Sequence, residues 1–66
     1  MIPVSSSDIS SIGYENGTLY IQFHSGGMYS YDNVPVSVYQ NLMTAPSKGR
    51  YFHANIKSVY AYHRIG

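Results

Sequence analysis

Between Ser47 and Ile56 the chain reads S-K-G-R-Y-F-H-A-N-I, a window that sets Lys48, Arg50 and His53 around the aromatic pair Tyr51 and Phe52. Cations hold phosphate and flat rings stack on bases, so this mixture has the chemistry of a site for a nucleotide or a short stretch of RNA. No other window combines the two. A purely structural reading competes with it, with Phe52 and Tyr51 in the core and the cations solvated around them. A second set of rings, Tyr29, Tyr31, Tyr60 and Tyr62, falls two by two on single faces of extended segments. If those segments pair, the rings form an aromatic platform such as sheet-type RNA binders use, or equally a cross-strand packing or a protein interface.

The residue types offer little for reaction chemistry. His24, His53 and His63 are far apart and lack the carboxylate or thiolate company of a metal site, and the chain has no cysteine. Asp8, Glu15 and Asp32, the only acids, are scattered over turns and strand ends, with no paired carboxylates and no histidine with an evident orienting acid and nucleophile. Ser47-Lys48-Gly49 lacks the glycine frame of a phosphate-binding hydrolase loop, and Ser5, Ser6 and Ser7 suit turns and caps. The expectation is a protein that is not an enzyme and needs no metal or cofactor.

At 66 residues the chain holds one domain, residues 1–66, of a size at which a single core is marginal and a second copy often completes it. A homo-oligomer is therefore expected. Charged residues make up 11% of the chain, against roughly 25% in ordinary globular domains, which weakens the repulsion between copies. The acids lie in the first half and Lys48, Arg50, Lys57 and Arg64 in the second, which is either chance in a chain of seven formal charges or a basic face made by the C-terminal third. Four cations favour a short or compact ligand over extended duplex DNA. The N-terminus lacks the basic start and long apolar run of a signal peptide, and no window reaches transmembrane length; a cytoplasmic protein without a membrane partner is expected.

These residues must be positioned by the elements around them. Met1 to Ser7 reads as an extended lead-in through Pro3. In Asp8 to Tyr14, Ile9 and Ile12 break strict alternation, which predicts a short strand bulged near Gly13. Asn16-Gly17 is a hairpin turn because both residues tolerate positive φ. Thr18 to His24 then alternates, with Leu19, Ile21 and Phe23 on one face. After the Ser25-Gly26-Gly27 turn, Met28 to Asp32 returns with Tyr29 and Tyr31 on one side. Pro35 opens the first turn of a helix in which Val38, Leu42, Tyr39 and Met43 form a stripe to close over Leu19, Ile21 and Phe23; Pro46 ends it. Ser47 caps a second helix from Lys48, weakened by Gly49, whose free N–H groups make an anion site near Lys48 and Arg50. Ser58 to Ile65 alternates again, Val59, Ala61 and His63 against Tyr60 and Tyr62, and reads as a last strand. The fold class is α+β: a small antiparallel sheet, a three-stranded meander plus a C-terminal strand, covered on one face by two short helices.

From Val4 to Ile65 the order of parts resembles the KTSC domain family. The resemblance is carried by S-S-S-D-I-S-S-I-G-Y, G-T-L-Y-I-Q-F-H-S-G-G-M-Y-S-Y, Val34-Pro35, S-K-G-R-Y-F and a closing Y-A-Y. Its most specific pieces are Tyr29-Ser30-Tyr31, matching the family's Y-x-Y, and Ser47-Lys48-Gly49 with the following aromatics. The family is named for the C-terminus of some lysyl-tRNA synthetases and also stands alone in bacterial and phage proteins. The resemblance implies RNA as a partner class and no mechanism.

Residues and resemblance together lead to a non-enzymatic binding module for RNA or a nucleotide-like anion. Lys48, Arg50, Tyr51 and His53 are the first contacts, and Tyr29, Tyr31 and Arg64 the second. Two alternatives stay open. One is a small phage-type sponge that sequesters a nucleotide second messenger of host defence at a subunit junction. The other is a homo-oligomeric interaction module held together by the tyrosine face.

Overall fold

The computed structural model describes all 66 residues. The Asn16-Gly17 turn sets the first hairpin: φ is 51° at Asn16 and 82° at Gly17, the paired positive values of a two-residue turn whose twist matches the strands it joins. It connects β2 (Ile9–Glu15) to β3 (Thr18–Phe23), and β4 (Met28–Tyr31) follows antiparallel to β3. Two helices, α1 (Val36–Thr44) and α2 (Lys48–Asn55), intervene before β5 (Tyr62–Arg64) returns beside β4. A two-residue strand, β1 (Ile2–Pro3), pairs with Ile12 and Ser11 at the other edge. The sheet thus runs β1-β2-β3-β4-β5, every pair antiparallel. The α+β class with helices on one face is the one read from the sequence.

Three local expectations are corrected. The stretch from Met1 to Ser7 supplies an edge strand instead of a bare lead-in, so the sheet has five strands where four were expected. The irregularity in β2 lies between Ile9 and Ser11, not near Gly13, which pairs in register with Tyr20. One extra residue there is what allows Ile9 and Ile12, an odd number apart, to point into the same core, and both are fully buried. The last strand is only three residues long. Ile56 turns into the core, and the N–H groups of Val59 and Tyr60 donate to its carbonyl, so residues 57–60 form a turn despite their alternating pattern.

The core gathers Ile9 and Ile12 of β2, Leu19 and Ile21 of β3, Tyr31 of β4, Val34, Leu42 of α1, and Phe52 and Ile56 from the α2 region. The α1 stripe behaves as its spacing predicts: Leu42 is buried, and Val38, Tyr39 and Met43 pack around the cluster. Tyr39 stacks on Tyr14 at a ring separation of 4.8 Å, and the Tyr14 hydroxyl donates to the Val34 carbonyl at 2.6 Å. Pro35 is the N-cap of α1, and the helix itself begins at Val36. It stops where Ala45, forced out of the helical region by Pro46, takes ψ 137°.

Helix α2 starts as expected, with Ser47 Oγ accepting the Arg50 N–H at 3.4 Å. Gly49, in its first turn, has ordinary helical φ, and a methyl group there would meet Asp8 Oδ2 and Ser6 Oγ only at 3.7 and 3.8 Å. Replacing it relieves the entropic cost of glycine in a helix without a clash. Gly49→Ala is expected to raise the unfolding free energy by about 0.5–1 kcal/mol, read from the midpoint of urea denaturation.

Candidate functional site

A helix turns its side chains by about 100° per residue, so consecutive residues of one segment face different surroundings. That rotation divides the basic and aromatic window along α2. Phe52 goes into the core. Lys48 folds back, its Nζ donating to the Ala45 carbonyl at 3.2 Å, so its charge sits on the end of α1. Arg50 and Tyr51 lie on one flank, along a shallow groove with Pro46 and Asn55. His53 lies on another, in a cleft that contains neither of them. The expected anion site at the start of α2 is taken by the protein itself: Ser47 Oγ accepts the Arg50 N–H, and the Asp8 carboxylate stands against the first turn.

The rings gather elsewhere. On the helix-covered face, Tyr29 and Tyr31 of β4, Phe23 at the end of β3, Tyr62 of β5 and Phe52 of α2 line a cleft of about 500 Å³, closed by His53, Lys57, Ser58 and Ser25. The ring centroids are 5.4–6.0 Å apart around the set: Phe23 to Phe52 and to Tyr29, Phe52 to Tyr31, and Tyr62 to both tyrosines. These are the edge-on and tilted geometries that aromatic quadrupoles favour. Pairing of Tyr31 with Tyr62 and of Tyr29 with Arg64 between β4 and β5 builds the open side. Tyr62 remains 57% exposed, so a ring face is available there, whereas Tyr31 is 4% exposed and belongs to the floor. Tyr60, grouped with these rings from the alternation, falls in the turn and does not line the cleft.

Of the residues singled out in the sequence, Tyr29, Tyr31, Phe52, His53 and Tyr62 therefore share one cavity, and Lys48, Arg50 and Tyr51 stand outside it. Arg64 lies at its margin, the guanidinium 6.0 Å from the Tyr29 ring and Nε donating to the Gly66 carbonyl. The cation that lines the cleft is Lys57, a member of the basic C-terminal set that is not among the contacts expected from the sequence. Its signal was present: Lys57 follows His53 by four residues, the spacing of neighbours along a helix and its continuing turn. Phe23 and Ser25 were read only as strand and turn. No group of three or more histidine, aspartate, glutamate or cysteine side chains comes together as a metal site, and no helix is long and apolar enough to cross a membrane.

Burial pushes the Tyr31 phenol up to about 12 from 10.0, because a phenolate in that floor would lose its water, and charge repulsion from Tyr29 and Tyr62 as they ionise adds to it. The cleft floor therefore stays neutral to a higher pH than a free phenol would.

Comparison with known proteins places this arrangement in a family. Residues 5–62 match the family model described as the KTSC domain. The crystal structure of a KTSC domain protein from Yersinia pestis superposes with a TM-score of 0.94 at 50% identity, covering 97% of this chain and 93% of that one. A lysine–tRNA ligase of Nostoc sp. is 46% identical over 48 residues, 73% of this chain and 9% of the ligase. An uncharacterised protein of Stutzerimonas stutzeri is 40% identical over 67 aligned positions, 97% of this chain and 94% of that protein. The chain thus spans about a tenth of the ligase and nearly all of the Stutzerimonas protein.

The Tyr31 environment has a measurable consequence at alkaline pH. Below pH 10 the phenol is neutral in the folded and unfolded chain alike. Above it the unfolded chain ionises first, so the stability held by the neutral phenol is lost as pH rises from 10.0 to about 12, by about 1.4 kcal/mol per pH unit. Absorbance titration of phenolate is expected to show a late ionisation near pH 12 that Tyr31→Phe removes, together with the corresponding part of the alkaline stability loss.

Proposed function

This chain belongs to the KTSC domain family, and from that premise we propose that it is a non-enzymatic binding module for RNA or a nucleotide-like anion. The ligand's seat in this reading is the aromatic cleft and not the first turn of α2. One observation carries it: the rings of Phe23, Tyr29, Tyr31 and Tyr62 converge on a single open cleft that also holds Lys57 and His53. A base entering the cleft stacks against Tyr62, the ring left most exposed, and its phosphate is neutralised by Lys57. Arg50, Tyr51 and Arg64 meet the flanking nucleotides of a longer strand, and Lys48, engaged with Ala45, contributes least. The lysine–tRNA ligases that carry a similar segment are named for an RNA substrate, which supports RNA as the partner class. The near full-length match to the Stutzerimonas protein supports a domain that also works by itself, where a free nucleotide, as for a second-messenger sponge, takes the place of tRNA. In either form the protein acts in the cytoplasm.

Filter binding of a short single-stranded RNA of mixed sequence over a salt series tests the cleft. Tyr62→Ala is expected to weaken binding by about 1–3 kcal/mol. Lys57→Ala lowers the slope of log affinity against log salt by about 0.7, and Lys48→Ala changes neither. Unchanged affinity in both Tyr62→Ala and Lys57→Ala removes the cleft as the site.

A homo-oligomer is a second reading, supported on a different surface from the one expected. Tyr29 and Tyr31 face the helices, so they are not an outward interface. On the uncovered face of the sheet, Met1, Tyr20, Met28 and Ile65 line a shallow apolar depression, with Met1 and Ile65 half exposed. Light scattering coupled to sizing chromatography is expected to show a dimer that Met28→Lys converts to a monomer. A native protein that stays monomeric at high concentration rejects the oligomer.

A further inference from the structure

The aromatic cleft does not end at its polar wall. Phe23, Ser25 and His53 also line a smaller cavity completed by Ser7, Asp8 and His24, so the two spaces meet along one shared side. Their chemistry differs. Lys57 lines the cleft and not the adjoining pocket, and Asp8, the pocket's one carboxylate, lines the pocket and not the cleft.

Asp8 is held there by local bonds. Ser6 Oγ accepts the N–H groups of Asp8 and Ile9, both at 3.3 Å, and Asp8 Oδ2 lies 3.4 Å from His53 Nε2. His24 Nε2 donates to the Ser6 carbonyl at 2.9 Å, which leaves Nδ1 of the neutral ring as an acceptor. Both Asp8 and His53 keep about half of their side-chain surface open to solvent, so the carboxylate still has room for a further donor. A phosphate group brings acceptors and negative charge, and a carboxylate repels it. A group that brings hydroxyl donors is matched by an acceptor-only carboxylate, in the stronger class of hydrogen bond in which one partner is charged.

On the reading that the cleft takes a nucleobase, we propose that the pocket around Asp8 takes the sugar edge of the same nucleotide. Asp8 accepts a hydrogen bond from the ribose 2′-hydroxyl, His24 stands beside it as a second acceptor, and the phosphate lies toward Lys57, away from the carboxylate. The 2′-hydroxyl is the group by which a protein tells RNA from DNA at a given position. The domain is therefore selective for ribonucleotides, and Asp8 is the residue that makes it so.

The test uses the full chain, with a short single-stranded RNA and a DNA of the same sequence containing deoxyuridine, so that only the 2′-hydroxyl differs. Calorimetric titration is expected to give roughly tenfold tighter binding of the RNA. Asp8→Ala brings the RNA down to the DNA value and leaves the DNA unchanged. Asp8→Asn, which keeps the shape and one acceptor oxygen, gives an intermediate preference and serves where the alanine variant does not fold. Equal affinity of the native protein for RNA and DNA overturns the sugar assignment and leaves the cleft standing. Equal weakening of both by either Asp8 variant, with the RNA preference kept, overturns it as well. No binding of either strand overturns the sugar assignment on RNA and the reading of the cleft as an RNA site.

Discussion

The structure depends on one aromatic wedge. Phe52 projects from α2 into the sheet and meets Phe23 and Tyr31 edge-on, with centroids 5.5 and 5.4 Å away. Truncating a buried phenylalanine costs about 3–5 kcal/mol, and a single core of this size rarely supplies more than about that in total. The contact that pins α2 is therefore comparable to the whole stability of the domain. It also fixes the helix rotation. With Phe52 inward, His53 must fall on the cleft side and Arg50 on the far flank, and the turn that follows carries Lys57 to the cleft wall.

The same ring borders the cleft. Five aromatic rings, contributed by three strands and a helix, meet edge-on and tilted, and the cleft opens between the end of β3, β5 and α2. The chain fills the inner part with Tyr31 and leaves Tyr62 open. Charge is then arranged around that gap in a graded way. Lys48 is spent on the end of α1 and Asp8 stands at the start of α2, which leaves Lys57 as the cation of the cleft and Asp8 as the anion of the space next to it.

Much of the fold was legible because it rests on short-range rules. Asn16-Gly17 demanded a hairpin, the alternation through Leu19 and Ile21 identified the buried face of β3, the Val38–Leu42 stripe gave α1, and Ser47 gave the start of α2. The errors arose where a local pattern had more than one solution. Ile9 and Ile12 signalled an irregular strand, but whether the extra residue fell at Ser10 or near Gly13 depended on the partner's register. The alternation from Ser58 to Tyr62 suited a strand until burial of Ile56 drew the chain into a turn. Ile2–Pro3 is too short to show any period, and becomes a strand only because β2 offers it an edge.

What the sequence determined alone is the class of fold and the stock of groups available: eight tyrosines, four formal cations and no thiol, on an antiparallel sheet with two helices. Periodicity and turn chemistry act between near neighbours, so they can be read without coordinates. Which of those groups share a surface was decided by tertiary structure. Neighbours in sequence at Lys48, Arg50 and His53 were parted by the rotation of one helix, while Phe23, Tyr29, Lys57 and Tyr62, scattered along the chain, were brought to one cleft by strand register and by the single buried ring of Phe52.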